Sequence, residues 1–463
     1  MNILEMLKTS DKTALIQNKK RVSYNQLMSM GLNFGSALQS AGIAKGDHVL
    51  IFLPLSIQLY KAMIGAWSIG AIPIFIDYSR GAGFVDASIK RLTPAIIIHD
   101  SVTGLIRRNY KQMRKIKSLS IRQGLATTRP TDTTTLNPTH PAILTFTSGS
   151  TGQPKIASRS HGFLINQYHT LCKHMDFNEN QVDLGTLPVF VLANLASHMT
   201  TLLPNKSYRS KIRPKRLATQ MEREKVTRII CSPALMSKLL DYNPLPSLKS
   251  AYLGGAPVYP SVLHKVGNHV DLNIVYGSTE AEPISSIKWA DVTEADKQSI
   301  AGGAGLPVGH IVPEVQCEIT PDGEIIVTGD TVLKGYLGGV GDTENKIHKD
   351  GKIWHRTGDT GHFDDEGRLW LLGRLEHAIN DIHGTLYPFC AECVLDATLG
   401  IRCAVIIKDG KRTVVVEKPT NQVKVLEVLK PLHITQVIVV KKLPMDKRHN
   451  AKIDHSKLLK LID

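Results

Sequence analysis

The longest apolar region of the chain spans residues 49–76, and Pro54, Lys61, Gly65, Gly70 and Pro73 interrupt it. An unbroken apolar stretch of about twenty residues would read as a membrane span. Interrupted in this way, the region reads as strand, helix and strand over residues 49–53, 57–69 and 72–76. Strands that are apolar on both faces must be buried on both, which is the condition of a parallel sheet covered by helices. Residues 24–41 precede them as an amphipathic helix with Leu27, Leu32, Phe34 and Leu38 among its apolar positions. Further strands are predicted at 93–99, 142–147, 228–231, 250–253 and 273–276, with helices between. The fold class is therefore α/β: a large N-terminal domain of helix-covered, mainly parallel sheets. After about Gly302, short strands and glycine turns at 316–319, 324–327 and 368–372 predict a β-rich subdomain. A compact αβ tail follows Arg374. A length of 463 residues fits this division into two or more domains.

The sharpest local pattern follows the strand at 142–147. It reads Thr147, Ser148, Gly149, Ser150, Thr151, Gly152, Gln153, Pro154, Lys155. Glycines let successive backbone N–H groups converge into an anion nest. The hydroxyls add donors, and Lys155 adds a positive charge for outer phosphates. This is a recipe for a triphosphate. The loop is not of the Walker type, because Pro154 precedes the lysine and Ile156 follows it. The competing reading is a polar turn, and six small or hydroxylated residues in a row followed by a lysine argue against it.

At this point the chain resembles the acyl-adenylate-forming superfamily of acyl-CoA synthetases, peptide-synthetase adenylation domains and luciferases. That family's loop has the form T-S-G-[ST]-T-G-x-P-K-G, and Ile156 replaces its closing glycine. Other family motifs follow in order. Tyr276, Gly277, Ser278, Thr279 and Glu280 match Y-G-x-T-E. The resemblance implies that Tyr276 stacks on adenine, Thr279 contacts the α-phosphate and Glu280 helps hold Mg²⁺. A ring face suits a purine and a carboxylate suits a hard cation. Gly254, Gly255 and Ala256, before Pro257, match a turn that borders the adenine. Thr357, Gly358 and Asp359, with Gly373 and Arg374 beyond a hairpin turn at 364–367, match the TGD and GR elements. The resemblance gives Asp359 the ribose hydroxyls and puts Arg374 near ribose and phosphate. Lys452, with Ala451 in place of the usual glycine, matches the terminal lysine that contacts carboxylate and α-phosphate. Lys452, Glu280 and Thr279 are thus the implied catalytic groups.

The resemblance also implies a hinge at Leu375 and Glu376, followed by Gly384 and Glu392 at expected places. It divides the chain into an ATP- and acid-binding domain, 1–374, and a small mobile αβ C-terminal domain, 375–463, carrying the lysine. The implied reaction takes ATP, Mg²⁺ and a small-molecule carboxylic acid to an acyl-AMP and pyrophosphate. Segments 448–453, 367–370, 384–387, 187–190 and 232–235 resemble the olefin-pathway β-lactone synthetases, often labelled fatty-acid CoA ligases. That subgroup implies a β-hydroxy fatty acid whose adenylate is captured within the molecule, without CoA. The rival fate, transfer to CoA or a carrier thiol, stays open. So does a non-catalytic nucleotide-binding protein, against which Lys155, Glu280, Asp359 and Lys452 speak. Phe190 and Leu192 are candidates for the acyl pocket, with a place in the core as the alternative.

Composition adds bounds. Apolar residues at 42% and charged residues at 21% are ordinary for a soluble globular chain. Residues 1–15 lack the apolar run of a signal peptide, so a cytoplasmic location is expected. Cys390 and Cys393 form a CxxC pair with no second pair at zinc spacing; buried thiols are the simpler reading. The net charge is +15, with basic clusters at 107–117 and 206–216. No recognised nucleic-acid motif accompanies them, so no nucleic-acid partner is expected. Solvated faces are the first reading, and attraction to an anionic membrane surface or an acidic partner protein the second.

Overall fold

The computed structural model describes residues 2–122, 132–147, 154–205, 212–242, 245–267, 270–417, 421–445 and 453–462. They form two compact units. The first comprises Met1–Ile230, Tyr242–Leu248 and Leu333–Glu344. The second comprises Cys231–Asp241, Lys249–Val332 and Asn345–Asp463.

In the first unit a six-stranded sheet runs in the order Ser118–Ser120, Ile96–His99, His48–Phe52, Ile72–Phe75, Pro141–Thr147, Lys155–Ser160. All neighbours are parallel except the last pair. Period-two alternation splits the side chains of its central strand between two cores. Val49 and Ile51 join the core that holds the helix Ile57–Ser68. Leu50 and Phe52 join the core of the helix Ala82–Leu92. Burial on both faces is what the doubly apolar strands demanded. The strand expected at 93–99 begins only at Ile96. Thr93 instead caps the preceding helix in the left-handed conformation (φ 42°), and Pro94 follows.

Two residues that break the apolar region in the sequence do not break the helix Ile57–Ser68. Gly65 packs face to face with the helix Tyr24–Ser40: a Cβ on Gly65 would stand 2.9 Å from the Gly31 carbonyl oxygen. Lys61 is fully buried and donates from Nζ to the Ile121 carbonyl at 3.0 Å. Burial, and then repulsion from Lys20, pull its amine down to about 8.

A second sheet in this unit orders Arg228–Cys231, Val182–Gly185, Thr200–Leu203, Thr13–Gln17 and Lys20–Ser23. A buried polar group ties it to the helix Pro188–Ala196. Asp183 accepts from Arg228 Nη1 at 3.0 Å and from Asn194 Nδ2 at 2.7 Å. Asn194 Nδ2 also reaches Thr201 Oγ1 at 3.2 Å, and the Arg228 guanidinium lies 4.2 Å from the Phe177 ring centre. Burial raises the Asp183 pKa, and Arg228 and Asn194 only partly oppose it.

In the second unit the strand Asp271–Ser278 pairs in parallel with Ser250–Leu253 and antiparallel with Ala281–Lys288. Antiparallel pairing then continues through Leu306–Ile311, Leu369–Arg374, Lys352–Phe363, Glu324–Gly329 and Val315–Ile319. The β-rich part thus starts near residue 271 rather than after Gly302. The strand Asp271–Ser278 returns directly through a tight turn, with no helix to cross over. The C-terminal segment builds its own three-stranded sheet of Cys403–Lys408, Lys411–Glu417 and Gln436–Val440. The helices Pro388–Leu399 and Gln422–Leu429 cover it through Ala391, Val394, Leu395, Val425 and Leu429. Asp296 holds Arg368 bidentately at 3.0 and 2.8 Å, and Asp364 takes Arg368 Nε at 2.8 Å, fixing the start of the strand Leu369–Arg374.

Removing one partner of a buried ion pair leaves the other charge uncompensated. Asp183→Ala should therefore lower the unfolding free energy by about 3–5 kcal/mol. The double variant Asp183→Leu/Arg228→Met should lose clearly less. Urea denaturation followed by fluorescence measures both, and equal losses would show that the pair itself stabilises the sheet.

Candidate functional site

Residues 148–153 of the phosphate loop lie outside the described residues, but both of its ends are described. Thr147 closes the strand Pro141–Thr147, and its backbone pairs with that of Lys155, the first residue of the returning strand. The loop is therefore clamped at its two ends by one antiparallel hairpin. Lys155 is buried, with 6% of its surface exposed. Its ammonium stands 5.4 Å from the centre of the Tyr336 ring, a cation–π arrangement. Its stem lies against Gly341, where a Cβ would fall 2.4 Å from Lys155 Cδ. Gly341 also has φ +97°, which L side chains rarely adopt. Ala157 forms an isolated bridge with Tyr336. Arg91 donates to the Pro154 and Leu337 carbonyls at 2.6 and 2.7 Å. Tyr336, Gly341 and Arg91 were not singled out from the sequence. The glycine-rich stretch 335–341 was the available signal.

The second unit gathers three of the expected residues. Tyr276 Oη donates to Asp359 Oδ2 at 3.0 Å, and Arg374 Nη1 donates to Asp359 Oδ1 at 3.1 Å. Asp359 and Arg374 face one another because their strands pair at that position. Burial, and then the Asp359 carboxylate, hold the Tyr276 phenol well above its ordinary pKa, so it acts as a neutral donor. Gly358 turns the chain here with φ +69°, and a Cβ on it would strike the Arg374 guanidinium at 2.7 Å. Glu324, which the sequence reading passed over, holds this turn from behind. Its carboxylate accepts from the Gly358 N–H at 2.9 Å and from Arg356 Nε at 2.6 Å. A single glutamate at the start of an apolar strand carries no sequence signal for that task.

The remaining positions are less connected. Gly254, after the strand Ser250–Leu253, passes so close to Val275 that a Cβ would meet its carbonyl oxygen at 2.6 Å. Gly255 has φ +72° and open space above it, and Ala256 follows half-buried. Gly277 lies inside the strand Asp271–Ser278 rather than beyond it. Thr279 and Glu280 form the following turn, half-buried, with the Glu280 N–H donating to Ser278 Oγ at 3.2 Å. Lys452 lies outside the described residues. Among the described residues no group of three or more His, Cys, Asp or Glu could hold a metal unaided. A magnesium ion bound through one carboxylate, with phosphate oxygens and water completing its shell, fits a donor set of this kind.

Of the two acyl-pocket candidates, Leu192 lines a narrow apolar cavity in the first unit, with Val189, Ala193, Ala196, Trp67 and Leu164. Phe190 is buried elsewhere on the same helix. In the second unit the helix Pro388–Leu399 rests on the helix Pro260–Val266 through two carboxylates. Glu392 accepts from Tyr259 Oη at 2.7 Å, and Asp396 takes the Ser261 N–H and hydroxyl, each at 2.7 Å. Burial pushes the Glu392 carboxyl up to about 7, against the pull of Tyr259 and Arg402.

The described residues thus include a lysine buried at the start of a strand and, in the second unit, a tyrosine and an arginine converging on one aspartate. The chain belongs to the AMP-binding enzyme family, whose model matches residues 5–337, and it is an AMP-forming ligase that uses ATP. It is similar to an olefin beta-lactone synthetase of Xanthomonas campestris pv. campestris, at 27% identity over 94% of this chain and 90% of that protein. It is also similar to an indoleacetate–CoA ligase of Aromatoleum aromaticum, at 27% identity over 81% and 78% of the two chains. The amide bond synthetase McbA from Marinactinospora thermotolerans shares the fold at a TM-score of 0.85 and 19% identity, over 100% of this chain and 99% of that one. The o-succinylbenzoate coenzyme A synthetase of Bacillus subtilis, solved with AMP, does so at 0.83 and 18%, over 98% and 97%. The α/β class expected from the alternation of elements is the class these structures share.

Two outcomes follow. Gly341→Ala should displace the Lys155 stem and raise the KM for ATP by about tenfold in ATP–pyrophosphate exchange, with the circular dichroism spectrum unchanged. An unaltered KM would remove Gly341 from the lysine's support. A carboxyl with a raised folded pKa contributes stability that is complete below its ordinary value, 4.5, and fades as pH rises through about 7. The contact of the helix Pro388–Leu399 should thus loosen between these limits as Glu392 ionises. Glu392→Gln should flatten that part of the pH dependence in hydrogen exchange across residues 388–399. A slope that persists in the variant would assign it to another group.

Proposed function

We propose that the chain converts a fatty-type carboxylic acid, foremost a β-hydroxy acid, into an acyl-AMP that then closes to a β-lactone. In the first step a carboxylate oxygen attacks the α-phosphorus and pyrophosphate leaves. In the second the β-hydroxyl oxygen attacks the acyl carbonyl carbon, AMP leaves, and the hydroxyl proton passes to solvent or a base. The observation that carries this reading is the similarity to olefin beta-lactone synthetases of two organisms, at 27% and 26% identity over 94% of the chain each time.

In this reading Thr147, Ser148, Gly149, Ser150, Thr151, Gly152 and Lys155 hold the outer phosphates. Gly254, Gly255, Ala256, Tyr276 and Gly277 border the adenine, and Asp359 with Arg374 takes the ribose. A nucleotide would then displace part of the Arg374–Asp359 bond. Thr279 meets the α-phosphate and Glu280 holds Mg²⁺, which when bound neutralises charge on the phosphates. Lys452 offsets the repulsion between carboxylate and phosphate. Turning of the segment 375–463 about Leu375 and Glu376 would separate the two half-reactions, and it would have to release Glu392 and Asp396 from Tyr259 and Ser261. Use of ATP accords with residence in the cytoplasm; among the described residues no helix is long and apolar enough to cross a membrane. A second reading, transfer of the adenylate to CoA, is favoured by the similarity to indoleacetate–CoA ligase.

Product analysis separates the two. With ATP, Mg²⁺ and a racemic β-hydroxy fatty acid, the enzyme should form a β-lactone identified by mass, equally with and without CoA. Lys452→Ala should reduce pyrophosphate release by about a hundredfold or more. Formation of an acyl-CoA only when CoA is present would replace the lactone reading, and undiminished pyrophosphate release in the variant would remove Lys452 from the first step.

A further inference from the structure

Between Asp100 and Asp132 the chain contains no acidic residue, yet it carries one of the two basic clusters, at 107–117. The short helix Ser101–Ile106 turns Thr103 and Ile106 inward and leaves Val102 and Leu105 on the outside, 45% and 63% exposed. The turns Arg107–Asn109 and Met113–Lys115 continue from it, with Met113 buried in the same core as Ile106. Arg108, Lys111, Arg114 and Lys115 are all exposed along these turns. Not every cation here is free: Arg107 donates to the Met113 carbonyl at 3.2 Å, and Lys117 donates to the Ala41 carbonyl at 2.6 Å. Two carboxylates of adjoining segments accept from the backbone here. Asp86 accepts from the Gln112 N–H at 2.9 Å, and Asp100 caps the helix through the Thr103 N–H at 2.7 Å. The segment thus presents two exposed apolar side chains and four exposed cations and contains no acidic residue of its own.

We propose that this surface docks the enzyme on an anionic lipid bilayer. Cations beside a membrane are drawn to its anionic headgroups, each strengthening binding several-fold. Leu105 and Val102, placed next to them, can enter the boundary between headgroups and acyl chains. A nucleic acid would satisfy the cations but would gain little from the exposed leucine, whereas an anionic bilayer takes up both kinds of group side by side, which is what favours it. None of these residues belongs to the proposed ATP or acid site, so the docking stands or falls independently of the substrate.

The test is co-sedimentation of the full chain with vesicles of phosphatidylcholine alone and of phosphatidylcholine mixed with phosphatidylglycerol. The protein should sediment with the mixed vesicles only and be released by high salt. The combined variant Arg108→Glu, Lys111→Glu, Arg114→Glu and Lys115→Glu should lower partitioning by about a hundredfold or more. Leu105→Ser should lower it by about tenfold while leaving retention on heparin unchanged. Pyrophosphate exchange should match the parent in both variants; if the combined variant loses it through misfolding, the single Leu105→Ser change carries the test. Failure to bind the mixed vesicles would overturn the proposal. So would a Leu105→Ser protein that binds them as well as the parent, which would mark the patch as a general polyanion surface.

Discussion

The backbone pairing of Thr147 with Lys155 is the constraint on which the surroundings of Lys155 depend. Thr147 and Lys155 are the two ends of the glycine-rich stretch, and one hairpin holds both. The same pairing places Lys155 at a strand start, where its stem can lie against Gly341 and its charge over Tyr336. That contact draws in the segment Leu333–Glu344, which is distant in sequence but part of the first unit. Parallel strands buried on both faces, from Val49 to Leu144, give the hairpin its rigid base.

The second unit solves a different problem with the same means. Asp359 is held by Tyr276 and Arg374, and the turn that carries it is held by Glu324. Glu324 and Arg374 come from the two antiparallel strands that flank that of Asp359, so their placement is a property of strand register, whereas Tyr276 reaches Asp359 through its side chain from a strand that does not pair with it.

The alternation of apolar strands and helices in the first half was legible because burial on two faces leaves a continuous apolar signature. The loop at 147–155 was legible because its residue types have few other uses in that order. Other features were not. The helix expected over 57–69 does run through Lys61 and Gly65, but their partners were hidden: the lysine reaches the Ile121 carbonyl from a buried position and the glycine admits a neighbouring helix. The early turn to antiparallel pairing at residue 271 was hidden because a buried strand looks alike whichever way its neighbour runs. Tyr336, Gly341, Arg91 and Glu324 were missed because their importance lies in what they touch, and the residues they touch are far away along the chain.

By itself, the sequence determined the class of fold, the family and the order of the motifs, because hydrophobic period and local residue chemistry are written in neighbouring positions. Only the tertiary structure decided which side chains support those motifs. It put Tyr336 beneath Lys155, Glu324 behind Asp359 and Tyr259 against Glu392, and it set Leu192 rather than Phe190 on the apolar cavity. The reason is physical: such contacts depend on strand register and on the direction a side chain takes from its element, and neither is specified by residues adjacent in the chain.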